Sequence, residues 1–301
     1  MDKTITIFTP TYNRAHLLPR LYESLLRQGT DDFLWLVVDD GSTDDTATLV
    51  SGWKKEGIIP IEYIYQENGG KMRAMNRGVS ICRTSLFFCV DSDDYLVEGA
   101  IAQIMADASL ILDRPDLCGL MGRKHLLNRY RFSAHLPSLG TASSKDVYAT
   151  GFHGETSLVF KTEVIRRFPF PEIEGEKFIS ESYSYDQIDK EYRYLLVDKL
   201  WTICEYQEDG YSANRLKLKK ENPKGFALLY ARKIKDKDGS WIMRLKYLDH
   251  YLCYSQQAGY SFRKSLLDSG TPLACILCWP LGVMYRLRLL AKYRIRYGKN
   301  E

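Results

Sequence analysis

Three carboxylates crowd the end of one apolar run, where Leu86-Phe87-Phe88-Cys89-Val90 is followed at once by Asp91, Asp93 and Asp94. Carboxylates this close repel one another, so the cluster is a place for a cation. Hard oxygen ligands in small number suit Mg²⁺ or Mn²⁺ shared with a phosphate, rather than a closed protein cage. A calcium loop fails on its own pattern, because Leu96 stands where that loop needs Gly and Ala102 where it needs Glu. The alternative is a capping role, in which Asp93 or Asp94 starts the helix that follows.

The elements that must position these acids are legible around them. A short unbroken apolar run reads as a strand buried on both faces, and open α/β sheets bind ligands at the carboxyl ends of such strands. Thr4 to Phe8 reads as the first strand, breaking at Thr9-Pro10-Thr11-Tyr12-Asn13-Arg14. Leu17, Leu18, Leu21, Tyr22, Leu25 and Leu26 recur at helical spacing, with Pro19 in the first turn. Leu34 to Val38 is a second strand ending in Asp39-Asp40-Gly41, where Gly41 makes the turn and Ser42 or Thr43 can cap the next helix. Ile61 to Tyr65 is a third strand, closed by Asn68-Gly69-Gly70 and followed by a helix over 71–81. The carboxylate strand comes fourth, and Ala100, Ile101, Ile104, Met105, Ala108, Leu110 and Ile111 mark the helix after it. Right-handed crossovers turn this alternation into a parallel sheet with helices on both faces. The ends of the first, second and fourth strands then open onto one edge.

Farther along, Leu117 to Met121 and Thr156 to Phe160 read as strands around a polar loop. A helix is expected through Tyr194, then strands at 195–197 and 201–206. The α/β domain is expected to span 1–210, with a helical extension over 211–301. In that extension Leu273 to Tyr285 is almost wholly apolar, is interrupted by Pro280 and Gly282, and is too short to span a bilayer. Arg286, Arg288, Lys292, Arg294, Arg296 and Lys299 follow. An apolar wedge with a basic flank is the composition of a helix lying on an anionic membrane surface, here through 272–299. The alternative is a helix docked on the main domain with a solvated basic tail.

Composition narrows the classes further. The 301 residues carry a net charge of +4, and the basic run lacks interleaved aromatics, which argues against nucleic acid. The 7 cysteines lie mostly within apolar runs, as buried thiols of a cytosolic protein would. Cys275-x-x-Cys278 has no second pair to complete a zinc site. The chain enters a strand at once, without a basic-then-apolar leader.

Five motifs in order resemble those of family 2 glycosyltransferases: Thr9-Pro10-Thr11-Tyr12-Asn13-Arg14, Val38-Asp39-Asp40-Gly41-Ser42-Thr43-Asp44, Asn68-Gly69-Gly70-Lys71, Ala74-x-Asn76-x-Gly78 and Val90-Asp91-Ser92-Asp93-Asp94. The likeness is strong over residues 3–100 and loose over 150–215. It implies a GT-A fold, an inverting reaction, a nucleotide-sugar donor and Mn²⁺ or Mg²⁺. By resemblance Asp93 contacts the metal, Asp91 reaches the ribose or the metal's water shell, and Asp94 touches the donor sugar or orients its neighbours. Asp39 would read a uracil-type base walled by Thr9, Pro10 and Tyr12, while Asp40 is either part of that site or a turn residue. Arg14, Lys71 and Arg73 would neutralise the diphosphate. Single-displacement inversion needs a base for the acceptor hydroxyl. The family's placement favours Glu181, with Glu176 and Glu155 as competitors and His153 as either a packed residue or an acceptor ligand. The reading is a UDP-sugar transferase acting on a saccharide or lipid-linked saccharide at the cytoplasmic membrane face, in cell-surface polysaccharide synthesis. A polyprenyl-phosphate sugar synthase and a non-catalytic membrane-bound scaffold are the alternatives. A sugar nucleotidyltransferase is disfavoured, because the loop after strand one lacks the glycines that cradle a triphosphate.

Overall fold

The computed structural model describes residues 3–127, 135–205, 207, 210, 211, 213–236 and 240–297. Two units divide the chain: Met1–Phe170 with Ser184–Gln207, and Pro171–Tyr183 with Glu208–Glu301.

The first unit begins with β1 (Ile5–Thr11), α1 (Leu18–Leu26), β2 (Phe33–Asp39), α2 (Thr46–Glu56), β3 (Ile61–Tyr65), α3 (Lys71–Ile81) and β4 (Leu86–Cys89). It continues through β5 (Asp94–Leu96), α4 (Ala100–Ala108), β6 (Leu117–Leu126), β7 (Thr141–Ala142), α5 (Ser144–Ala149), β8 (Glu155–Lys161), α6 (Thr162–Ile165), α7 (Ser182–Glu191) and β9 (Arg193–Cys204). Among the described residues the strands form one sheet in the order β3-β2-β1-β4-β8-β6-β9-β5, with β7 on β9. β3, β2, β1 and β4 run parallel, as the alternation requires. Beyond them the sheet is mixed, since β8 runs antiparallel to both β4 and β6.

Every position of β1 is buried, which makes it the central strand of the parallel half. On one face Ile5, Ile7 and Val37 pack with Leu21, Leu25 and Val50. Tyr22 stacks on Trp53 there at 4.3 Å between ring centroids, and Trp35 lies 5.8 Å from Trp53. Gly78 of α3 lets that helix approach the ring of Phe8, since a Cβ at Gly78 would sit 2.3 Å from it.

Several expected boundaries move. The apolar run ends as strand at Cys89, and Asp94–Leu96 is a separate strand antiparallel to β9, so α4 starts only after Gly99. Neither Asp93 nor Asp94 caps it. The helix expected through Tyr194 stops at Glu191, because Tyr194 is fully buried within β9. The two late strands are one twelve-residue strand whose pairing with β6 shifts register several times. Tyr206, expected at the end of that strand, lies outside the described residues.

The second unit holds α8 (Arg215–Glu221), α9 (Pro223–Lys235), α10 (Trp241–Gln257), α11 (Phe262–Ser269) and α12 (Pro272–Tyr297). Its core gathers Ala227, Ala231, Leu248, Tyr251, Leu252, Tyr254, Cys275 and Leu289. The helix expected from about Pro272 onward is α12, one helix of 26 residues that runs on through Pro280 and Gly282. Where the apolar stretch to Tyr285 reads as too short to span a bilayer, the whole helix is long and apolar enough to cross a membrane by length and composition. Pro280 is exposed, so the carbonyl it cannot serve is not sealed in the core. Gly282 lets α12 approach α10, where a Cβ would lie 2.5 Å from that of Leu252. Lys299 of the basic tail lies outside the described residues.

Candidate active site

At the tip of β2, Asp39 is fully buried and accepts from the Ser42 N–H at 2.8 Å and the Tyr63 hydroxyl at 2.6 Å. Burial, together with the adjacent Asp39 charge, pushes the Tyr63 phenol up and keeps it a donor. Asp40, read from sequence as a site or turn residue, organises the neighbouring loop. Its carboxylate accepts from Gln66 Nε2 at 2.7 Å, Asn68 Nδ2 at 3.1 Å, Gly69 N–H at 2.9 Å and Gly70 N–H at 2.7 Å. Those bonds fix the Asn68-Gly69-Gly70 approach to α3. Gly41 turns the chain at φ 86°, and a Cβ there would lie 2.7 Å from the Asn68 nitrogen.

The loop after β1 is tied to the same tip. Asn13 takes a left-handed φ of 53°, donates its N–H to Ser42 Oγ at 2.8 Å and accepts from the Thr43 N–H at 2.8 Å. The expected capping of α2 by Ser42 or Thr43 does not occur. The N-cap is Asp45, and Asp44 accepts from the Thr46 N–H at 3.1 Å and the Ala15 N–H at 2.9 Å. Burial works against the Asp44 charge, yet the bonds from Thr46 and Ala15 hold its carboxyl below the usual range. The Thr9 hydroxyl accepts from the Trp35 indole at 3.0 Å and faces the aromatic core. Pro10 is buried in β1, whereas Tyr12 is 48% exposed beyond its end. The Arg14 carbonyl accepts from the N–H groups of Leu17 and Leu18 at the entry to α1.

At the tip of β4 the Asp94 N–H returns to the Asp91 carbonyl at 3.0 Å, closing a turn that folds the acids together. Ligand oxygens of Asp91, Asp93 and Asp94 all lie within 4.8 Å of one another, a set of hard donors that fits a divalent cation. Lys71, the first residue of α3, straddles the Asp91 carboxylate at 2.7 and 2.9 Å. Burial opposes the Asp91 charge, but Lys71 and Lys124 draw its carboxyl below the usual range. Burial and the Asp91 charge push Asp93 up instead. Asp94 points inward, where it is 4% exposed and bonded to Lys124 of β6. Burial and the other two acids push Asp94 up against the pull of Lys124, while Asp94 and Asp91 push Lys124 up against burial, so the pair holds its proton firmly. Lys124 was not visible as a site residue from sequence; it reaches Asp94 from a strand on the far side of β9.

Because β1 separates β2 from β4 and all three are parallel, Asp39 and the Asp91–Asp94 turn share one sheet edge, about 10 Å apart by two inter-strand spacings. Arg73 packs against Gly69, where a Cβ would lie 2.6 Å from its Cδ. Asn76 of the same helix bonds both backbone groups of Phe170, at 2.8 and 2.9 Å, a packing role.

The three base candidates separate. Glu176 takes the N–H groups of Lys224 and Gly225 at 2.7 Å each, and so caps α9. Burial pushes its carboxyl up against those two bonds. Glu155 is exposed at the start of β8, in register with Lys124 of β6. Glu181 is half-buried, immediately before α7, in the Pro171–Tyr183 segment of the second unit. His153 is exposed.

The family model described as glycosyl transferase family 2 matches residues 6–110. The architecture is that of the GT-A fold, an α/β sheet flanked by helices with a helical C-terminal region. The chain is 31% identical over 102 residues to the glycosyltransferase GlyG of Streptococcus pneumoniae, covering 34% of each. Over 170 residues it is 27% identical to the GalNAc(5)-diNAcBac-PP-undecaprenol beta-1,3-glucosyltransferase of Campylobacter jejuni, covering 56% of this chain and 55% of that one. The match thus spans between a third and about half of these relatives' length. Among solved structures, S. aureus TarS in complex with UDP-GlcNAc aligns with a TM-score of 0.60 at 17% identity, over 94% of this chain and 92% of that one. A Pyrobaculum calidifontis mannosyltransferase in complex with GDP-Man and Mn²⁺ aligns with a TM-score of 0.55 at 20% identity, over 100% and 89%.

Proposed function

We propose that the protein is an inverting family 2 glycosyltransferase that moves a sugar from a UDP-linked donor to a saccharide or lipid-linked saccharide in cell-surface polysaccharide synthesis. The observation that carries this reading is the pairing of two acidic strand tips on one sheet edge: Asp39 with neutral donors at one, Asp91 and Asp93 with Lys71 at the other. The relatives that act as glycosyltransferases, and the complexes with UDP-GlcNAc and with GDP-Man and Mn²⁺, support it.

In this reading Asp39 accepts from the base N–H with its remaining lone pairs, since an ionised carboxylate offers about four acceptor sites. Tyr12, exposed next to it, covers the base. Lys71 leaves Asp91 for the diphosphate, joined by Arg73 and Arg14. Asp93 and Asp91 would hold Mn²⁺ or Mg²⁺, which supplies Lewis-acid stabilisation of charge on the departing nucleoside diphosphate. Asp94, sealed against Lys124, orients the turn and does not touch the sugar. Thr9 supports the wall of the base site through Trp35. Glu181 takes the proton of the acceptor hydroxyl; Glu176 is withdrawn from that role by its capping bonds. The exposed face of α12 (Leu273, Ile276, Leu277, Leu281 and Leu287), with Arg288, Arg294 and Arg296, rests on the anionic cytoplasmic face of a membrane and brings the enzyme to a lipid-linked acceptor.

The test is a panel of UDP-, GDP- and dTDP-sugars with and without Mn²⁺, read by thermal stabilisation and slow donor hydrolysis. A UDP-sugar with Mn²⁺ should raise Tm by roughly 5 °C or more at 100 times Kd. Folded protein that responds to no nucleotide would favour a scaffold without activity. With the donor identified, Glu181→Gln should keep donor binding and lose transfer; full transfer there would move the base to Glu155.

A further inference from the structure

We propose that Arg20, on α1 and outside every motif of the donor site, is the positioning residue for Asp93. The inference rests on the reading of Asp91 and Asp93 as the cation site. Its guanidinium donates through Nη2 to the Asp93 carbonyl at 2.9 Å and pairs through Nη1 with Glu205 at 2.7 Å. Its central carbon lies 4.5 Å from the centroid of the Tyr95 ring. These contacts bracket one point in the chain: the carbonyl of the acid itself, the ring two residues on, and the residue that follows β9, the strand on which β5 is laid.

The three acids of the turn are held differently. Asp91 is bound through its carboxylate by Lys71, and Asp94 through its carboxylate by Lys124. Asp93 is bound by its backbone, and among the described residues its carboxylate makes no ion pair. A group held by its main chain with its side chain uncommitted is fixed in place yet open to a ligand, which is what a metal-binding acid requires. A planar guanidinium suits this task because its rigid fork serves two acceptors in fixed directions while its face rests on a ring; an ammonium would serve them as a point charge. Arg20 and Glu205 are each about a third exposed, at 33% and 31%, so the pair adds little to stability and its consequence is geometric.

The full chain is titrated with Mn²⁺ alone, without nucleotide, by loss of the free-ion signal in electron paramagnetic resonance, and metal-free Tm is measured beside it. Wild type should bind Mn²⁺ and Asp93→Asn should not. Arg20→Ala should weaken Mn²⁺ at least fivefold with Tm changed by a few degrees at most, Arg20→Lys should fall between, and Glu205→Gln should weaken it two- to threefold. Wild-type Mn²⁺ affinity in Arg20→Ala, beside a dead Asp93→Asn, overturns the role of Arg20 and leaves the cation site standing. If Arg20→Ala does not fold, Glu205→Gln decides, and wild-type affinity there overturns the role equally. Failure of wild type itself to bind Mn²⁺ removes the cation site and Arg20 with it, and is told apart because it shows before any substitution.

Discussion

At the tip of β2 the carboxylates of Asp39 and Asp40 are met by neutral N–H and O–H groups, from Ser42, Tyr63, Gln66, Asn68, Gly69 and Gly70. At the tip of β4 those of Asp91 and Asp94 are met by ammonium groups, from Lys71 and Lys124. Neutral donors fix a carboxylate's direction and leave its charge; each bond is part of a loop that cannot shift without losing the others. An ammonium on a flexible stem cancels charge and can trade one anion for another. The first tip is therefore a frame, and the second is a place where ions exchange. Among the described residues Lys71 and Lys124 pair with Asp91 and Asp94, and the carboxylate of Asp93 is in no ion pair.

The largest effect should come from Asp93. Asp93→Asn should cut transfer at least 100-fold, of the order seen when one group stabilising transition-state charge is removed, and should abolish stabilisation by Mn²⁺. The metal-free fold should be unharmed or slightly firmer. Burial and the Asp91 charge raise the Asp93 carboxyl, so the folded state carries the ionised form at a cost that an amide avoids. Denaturant melts with and without Mn²⁺ check both halves. A clear loss of metal-free stability would make Asp93 part of a frame as well and erase the contrast.

Asp40→Ala should act the other way round, on the fold. It strands the two buried N–H groups of Gly69 and Gly70 and removes one acceptor from each of the Gln66 and Asn68 amides, Asn68 keeping the Asp40 carbonyl at 2.7 Å. Unsatisfied partners of a charged acceptor cost about 1.5–3 kcal/mol each before relaxation. A net loss of about 3 kcal/mol in urea unfolding is expected. A loss under about 1 kcal/mol would show that the loop into α3 holds itself.

How far these tips could be read in the chain follows from the range of the interactions. Apolar runs ending in acids are local patterns, and they placed β2, β4 and the edge onto which both open. The turn at Gly41 was equally local. Lys124 and Arg20 were not legible, because they lie about 30 and 70 residues from the acids they serve and their own surroundings read as ordinary strand and helix. The capping role of Glu176 depends on an α9 that starts almost 50 residues later. Asp40 was ambiguous because its type suits a turn, while its donors come from a loop after the next strand. The last helix was legible in place but not in reach: the apolar stretch was counted only to Tyr285 and so read as too short to span a bilayer, while the helix runs on to Tyr297.

The smallest effect is the one that sharpens the contrast most. Tyr63→Phe removes a single hydroxyl from Asp39, with the ring kept in place, and should cost about 1.5 kcal/mol of stability, the low end for a hydrogen bond to a charged group. If Asp39 also receives the base of the donor, its freed oxygen can turn away from the base site, and UDP should bind about three- to tenfold more weakly by calorimetry. A frame with no ligand role would lose the same stability and leave UDP affinity untouched. That outcome would place Asp39 beside Asp40 as scaffolding and leave the donor to be recognised at the β4 tip alone, through its phosphates and without selection for its base.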